Sequence, residues 1–223
     1  MSLNNGKGKC RKEKIMAINP LHAPLQPGGP MSVEEYLQLD RSTLDGRYDY
    51  VGGVARLMSG GSVAHNRISR NVANAIEDHF LTGPCTVFGS DVQVLIGVKA
   101  SGRQHYVYPD ATVSCDVADR RLDNNLIRLP RIVVEVLSPG TEVFDRGKKL
   151  AAYKACDSIQ EIMLVHQFAP IVEVYRRSEK DQASWQHVVY GPEQAVELRS
   201  VDICLSMDEL YRGLNFDEPQ LEE

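Results

Sequence analysis

Arg131-Ile132-Val133-Val134-Glu135-Val136-Leu137-Ser138 is a nearly unbroken run of β-branched residues with one carboxylate inside it. Such a run fits a strand covered on both faces rather than one face open to water. Working outward, the turn Ser138-Pro139-Gly140-Thr141 leads into a helix expected over 142–155. Upstream, Val107-Tyr108-Pro109-Asp110-Ala111-Thr112-Val113 carries a second carboxylate in an apolar segment, within a strand expected over 107–115. Further strand-like segments fall at 85–88, 92–98, 161–166, 171–176 and 186–190, and Gly52-Gly53 marks a hairpin over 47–58. Val63, Ile68, Val72, Ala75, Ile76 and Phe80 recur at helical spacing over 62–81, which Gly83-Pro84 ends. Ser32-Val33-Glu34-Glu35 is a capping box, and a last short helix is expected around 207–214. The order is not a regular strand–helix alternation. It predicts an α/β domain with a central mixed β-sheet flanked by helices.

Carboxylates at Asp110 and Glu135 cost several kcal/mol to bury unless they are paired or hold a metal. Asp145, Lys149 and Tyr153 are spaced by four and share one face of the helix that follows Glu135. Folded back on the sheet, that face carries the Lys149 ammonium toward both carboxylates. Hard divalent cations take oxygen ligands, and magnesium needs only one or two carboxylates, leaving positions for water and phosphate. A lysine beside such a site offsets charge developing on phosphorus. These are the requirements for hydrolysing a phosphodiester. Each residue has a plainer reading as well. Asp110 could be a turn carboxylate, Glu135 half of a buried salt bridge, and Lys149 a surface partner of Asp145. Lys148 is expected at the surface, Asp145 as a cap or an orienter of Lys149, and Tyr153 in the packing.

Composition narrows the field. The chain has 223 residues, 43% hydrophobic and 25% charged, with a formal net charge of −5. Collagen-like and wholly disordered classes are excluded, and no apolar run is long enough for a membrane helix. No phosphate-cradling Gly-rich loop, nucleophile elbow or zinc helix motif is present. Residues 1–30, rich in Gly and Pro with a basic start, are expected to be a flexible tail. Residues 31–214 are expected to form a single domain, followed by an acidic tail at 215–223. The acidic balance argues against non-specific DNA binding by charge alone. The five cysteines are scattered with no C-x-x-C, so free thiols in the cytoplasm are expected rather than disulfides.

Tyr108-Pro109-Asp110, Val133-Val134-Glu135-Val136-Leu137-Ser138-Pro139-x-Thr141 and Asp145-x-x-x-Lys149-x-x-x-Tyr153 together resemble the Uma-two family of the PD-(D/E)-x-K nuclease superfamily. The resemblance runs from about Met31 to Leu214. It implies a restriction-endonuclease-like core and divalent-metal-dependent hydrolysis of DNA. It further implies Asp110, Glu135 and the Val136 carbonyl as ligands of Mg2+ or Mn2+, with catalytic Lys149 on the following helix. Asp49 stands where the family usually has Glu, completing the acidic cluster. His65 is placed at the mouth as a proton carrier or phosphate contact. A homodimer would suit cleavage of both strands. Leu137 occupies the superfamily's usual lysine position. With the shortened Asp49, it keeps a second reading open: a catalytically silent nuclease-fold binding or scaffold protein.

Overall fold

The computed structural model describes residues 28–43, 46–58, 60–98 and 101–216. Of the tails expected at 1–30 and 215–223, residues 1–27 and 217–223 lie outside the described residues. Two of the last three residues assigned to the N-terminal tail are paired: Gly28 N–H donates to the Ala55 carbonyl and Pro30 bridges Val54.

In chain order the elements are α1 (Val33–Ser42), β1 (Tyr48–Val51), β2 (Val54–Leu57), α2 (Val63–Asp78), β3 (Thr86–Gly89), β4 (Gln93–Val98), β5 (Arg103–Val107), β6 (Ala111–Ser114), β7 (Leu126–Ile127) and β8 (Pro130–Leu137). Then α3 (Glu142–Phe144) passes through a π-helical turn (Asp145–Lys149) into α4 (Leu150–Ala155). The chain finishes with β9 (Glu161–His166), β10 (Val172–Arg177), β11 (Trp185–Tyr190), β12 (Ala195–Leu198), β13 (Ile203–Ser206) and α5 (Met207–Leu210). The mixed α/β architecture follows the sequence expectation.

One sheet has the order β11-β10-β9-β8-β6-β3 and is antiparallel except for the parallel pair β8–β9. A second has the order β2-β1-β5-β4-β7, and β12–β13 form a small ribbon. β8 is covered on both faces. Ile132, Val134 and Val136 share a core with Ile68, Val72 and Ile76 of α2. Val133 and Leu137 share the opposite core with Leu150 and Tyr153 of α4 and with Val94, Ile96 and Val107 of the second sheet. Each such fully buried aliphatic side chain contributes roughly 1.5–3 kcal/mol. Glu135, alternating with Val134 and Val136, therefore faces α4 and the second sheet, from which Asp49 of β1 approaches. Gly52 and Gly53 close the β1–β2 hairpin with φ of 65° and 84°, the left-handed values a tight turn of this kind requires.

The expected strand over 107–115 is two strands. β5 ends at Val107, and Tyr108-Pro109-Asp110 leads across to β6 in the other sheet. Proline cannot donate to a ladder, so the break falls there. The last helix spans only Met207–Leu210, because the chain leaves the helix at Tyr211 and turns over 211–213, with Gly213 at a left-handed φ of 77°.

The expectation of free cysteines is overturned at one pair. Cys85 and Cys115 form a disulfide across a sequence separation of 30. β3 and β6 pair with Thr86 opposite Ser114, so the next positions outward bring the two thiols face to face. That long-range register is invisible in cysteine spacing. Reduction of this bridge, or Cys85→Ser, is expected to lower unfolding stability by about 2–4 kcal/mol, read from urea unfolding with and without reductant. An unchanged midpoint would show that the bridge adds nothing.

Candidate active site

The antiparallel ladder of β6 and β8 pairs Ala111 with Val134. Continued by one residue, it places Asp110 opposite Glu135, on the same side of the sheet. The Asp110 side chain turns back along β8, and its Oδ2 accepts the Val136 N–H at 2.7 Å. Asp49 enters from β1, with Oδ1 accepting the Tyr108 N–H at 2.9 Å. That bond explains why the tripeptide before β6 has a fixed course between the sheets.

Lys149 reaches the group from the π-helical turn. Its Nζ lies 3.0 Å from Asp49 Oδ2, 2.8 Å from Glu135 Oε1 and 3.9 Å from Asp145 Oδ1. The Tyr153 hydroxyl donates to Glu135 Oε1. Asp145, Lys149 and Tyr153 are all buried, whereas Lys148 is exposed, as the four-residue spacing predicted. A π turn is uncommon and adds a residue to the helical repeat. Arg146, on the same turn, points the other way and binds Glu142 (2.7 Å) and Glu173 of β10 (2.6 Å). Glu173 also accepts from His166 and His187 and is held near pH 2: burial raises its pKa, but these donors more than offset it. This cluster ties the π turn to the sheet on the side away from Lys149.

His65 stands in the first turn of α2, whose N-cap Ser62 Oγ accepts the His65 N–H at 3.1 Å. Its Nε2 lies 3.3 Å from Asp110 Oδ2. Gly61 leaves room for the His65 ring, since a Cβ there would come within 2.7 Å of it and push the ring from its place. Burial disfavours the imidazolium, but Asp110 and the Val136 backbone outweigh it and raise the His65 pKa.

The structure thus brings Asp49, His65, Asp110, Glu135, Val136 and Lys149 onto the wall of one pocket of about 60 Å3. Four carboxylates, counting Asp145, share that wall with one ammonium. Burial raises the Glu135 pKa well above its ordinary value. Lys149 opposes this, while Asp145, Asp110 and Asp49 reinforce it. Burial also raises that of Asp145, again against the pull of Lys149. For Lys149 itself, burial favours the neutral amine, but Asp49, Glu135 and Asp145 prevail and hold it as an ammonium. Among the described residues no three His, Cys, Asp or Glu side chains enclose a metal site by themselves. Between Asp49 and Glu135 the nearest group is the lysine.

A family model described as "Putative restriction endonuclease" matches residues 33–208. The chain belongs to the Uma2 family. The Uma2 match spans every site residue named above. The chain is 33% identical over 195 residues to "Uncharacterized protein slr1290" of Synechocystis sp., covering 87% of this chain and 98% of that one. It is 27% identical over 149 residues to "Uncharacterized protein sll1609" of the same organism, covering 66% and 81%. The Uma2 fold seen here is also that of a crystal structure from Anabaena variabilis titled "a putative nuclease belonging to DUF820". The TM-score is 0.65 and the identity 19%, covering 82% of this chain and 98% of that one.

Two contacts at the site have little or no signature in the sequence. The Tyr108 N–H that fixes Asp49 belongs to a backbone and has no side-chain signature. The Tyr153 hydroxyl on Glu135 was foreshadowed only by its place on the Lys149 face.

Proposed function

We propose that this chain is a divalent-metal-dependent nuclease that hydrolyses phosphodiester bonds of DNA. The observation behind it is the excess of carboxylates over cations around the Lys149 ammonium: Asp49, Glu135 and Asp145 are buried and Asp110 is partly buried beside them. Uncompensated buried charge is costly, and a hard cation bound to oxygen relieves it. The donor set fits magnesium or manganese. Asp110 and Glu135 each keep one oxygen, Oδ1 and Oε2, with no hydrogen bond from the described residues. A pocket of about 60 Å3 holds an ion with a few waters, since one water needs roughly 10–15 Å3 of such space. Asp110, Glu135 and the Val136 carbonyl would hold the metal, with Asp49 beside them. The bound metal supplies Lewis-acid polarisation of a phosphoryl oxygen and acidification of a water.

The chain's own residues do the rest. Lys149, fixed by Asp49 and Glu135, presents a positive charge to the phosphate and stabilises negative charge on its oxygens. It is an electrostatic group rather than a base, because its carboxylate partners keep it protonated. Tyr153 and Asp145 position it through Glu135 and through the helix. His65, on Asp110 at the pocket mouth, is placed to pass a proton to the leaving oxygen.

The test is incubation of the purified chain with linear and circular, single- and double-stranded DNA, in Mg2+, Mn2+ or chelator. Cleavage is expected with metal, none with chelator, and none with Asp110→Asn. Metal-independent cleavage, or equal cleavage by Asp110→Asn, would contradict the reading.

A further inference from the structure

A second cavity, of about 700 Å3, adjoins the carboxylate pocket and shares His65, Asp110 and Tyr108 with it. Its size falls within the range of ligand clefts, roughly 300–1,000 Å3. On the nuclease reading, a phosphate lying against Asp110 and His65 would have a neighbouring nucleotide extending into this cavity. The chemistry of its wall says which part of a nucleotide belongs there. Arg47, the arginine on that wall, is engaged by the Asp91 carboxylate and the Ser90 carbonyl. That pair is exposed, and the guanidinium also lies over the Tyr108 ring, 5.8 Å from its centroid. A half-buried carboxylate on the same wall is Asp40, in the last turn of α1, which is acceptor-only when ionised.

Asp40 is rigidly held. Its Oδ2 takes the Tyr108 hydroxyl at 3.2 Å and lies 3.2 Å from Gln93 Nε2, whose two N–H groups are shared among Asp40, Tyr108 (3.0 Å) and Tyr36 (2.9 Å). Its Oδ1 has only the long 3.4 Å contact with Tyr108 and keeps acceptor capacity. A half-buried carboxylate with spare acceptor positions repels phosphate and carbonyl oxygens and attracts N–H donors. Among the DNA bases, guanine alone sets two N–H groups side by side, N1–H and the 2-amino group, matching a carboxylate. Thymine offers one N–H flanked by two carbonyls. In a duplex that guanine edge is occupied by its partner.

We propose that this cavity is a base-reading subsite that takes an unpaired guanine next to the scissile phosphate, with Asp40 Oδ1, the oxygen that keeps acceptor capacity, accepting from its N1–H and 2-amino groups. The subsite rests on the nuclease reading for its place beside the reaction, but not for its ligand chemistry.

The test uses neutral nucleosides, which avoid repulsion by the active-site carboxylates, titrated into the full chain in chelator and followed by NMR. Deoxyguanosine is expected to saturate the site. Thymidine, and deoxyinosine that lacks the 2-amino group, should bind at least about tenfold more weakly. Asp40→Asn is expected to erase the preference. Equal binding of the three nucleosides, or no saturation by deoxyguanosine, overturns the subsite. The wild-type comparison decides this even if Asp40→Asn folds poorly. DNA cleavage is scored separately. Guanine preference without cleavage supports the subsite and sinks the nuclease reading; metal-dependent cleavage without guanine preference does the reverse.

Discussion

Lys149→Met is expected to abolish DNA cleavage, by about 100- to 1,000-fold or more, and to destabilise the fold by about 3–5 kcal/mol at pH 8 in chelator. Its ammonium is the cation shared by Asp49 and Glu135, with Asp145 close by. Removing it leaves three carboxylates with no buried cation between them, and breaking a buried pair from one side is the costly direction. Methionine keeps the shape of the stem and loses the charge. Urea unfolding of the variant and the wild type in chelator checks the stability arm. Equal stability would show that Lys149 does not compensate the cluster.

Glu135→Gln has the opposite stability signature. Cleavage is expected to fall by a similar factor, because an amide is a poor ligand for a hard cation. Stability in chelator is expected to stay level or rise. Burial raises the Glu135 pKa well above its ordinary value, with Lys149 only partly offsetting it, so the folded state resists the charge that Gln removes. The sign with pH follows. A carboxyl whose folded pKa is raised contributes stability that is present below its unfolded pKa and lost as pH rises through the folded one. In chelator, wild-type stability from this group and from Asp145 should therefore decline from about pH 4.5 upward toward neutral. Glu135→Gln should flatten that decline. Unfolding midpoints across pH 5–8 give the comparison; a variant that is less stable and equally pH-dependent would refute the account of Glu135.

Much of the site was legible because its chemistry interrupts strong local patterns. Glu135 stood out because it breaks a β-branched run, and Asp110 because it follows Tyr108-Pro109 inside an apolar segment. The four-residue rhythm of Asp145, Lys149 and Tyr153 placed all three on one buried face, although the turn is π-helical rather than α-helical. What the sequence hid was long-range. The disulfide between Cys85 and Cys115 depends on the β3–β6 register. The division of 107–115 between two sheets depends on Asp49 capturing the Tyr108 N–H from another strand. The ribbon β12–β13 and β7 went unpredicted because their strands are only four and two residues long, too short for an alternating pattern to stand out. The Asp40–Gln93–Tyr108 network joins residues scattered along the chain, so no spacing rule announces it.

The central claim is that the carboxylates around Lys149 form a site for a hard divalent cation. Calorimetric titration of the full chain with Mn2+ addresses it most directly, with Asp110→Asn and Glu135→Gln measured alongside. The account predicts saturable binding by the wild type that either substitution abolishes or greatly weakens. Undiminished Mn2+ binding by both variants, or no binding by a well-folded wild type, would contradict it.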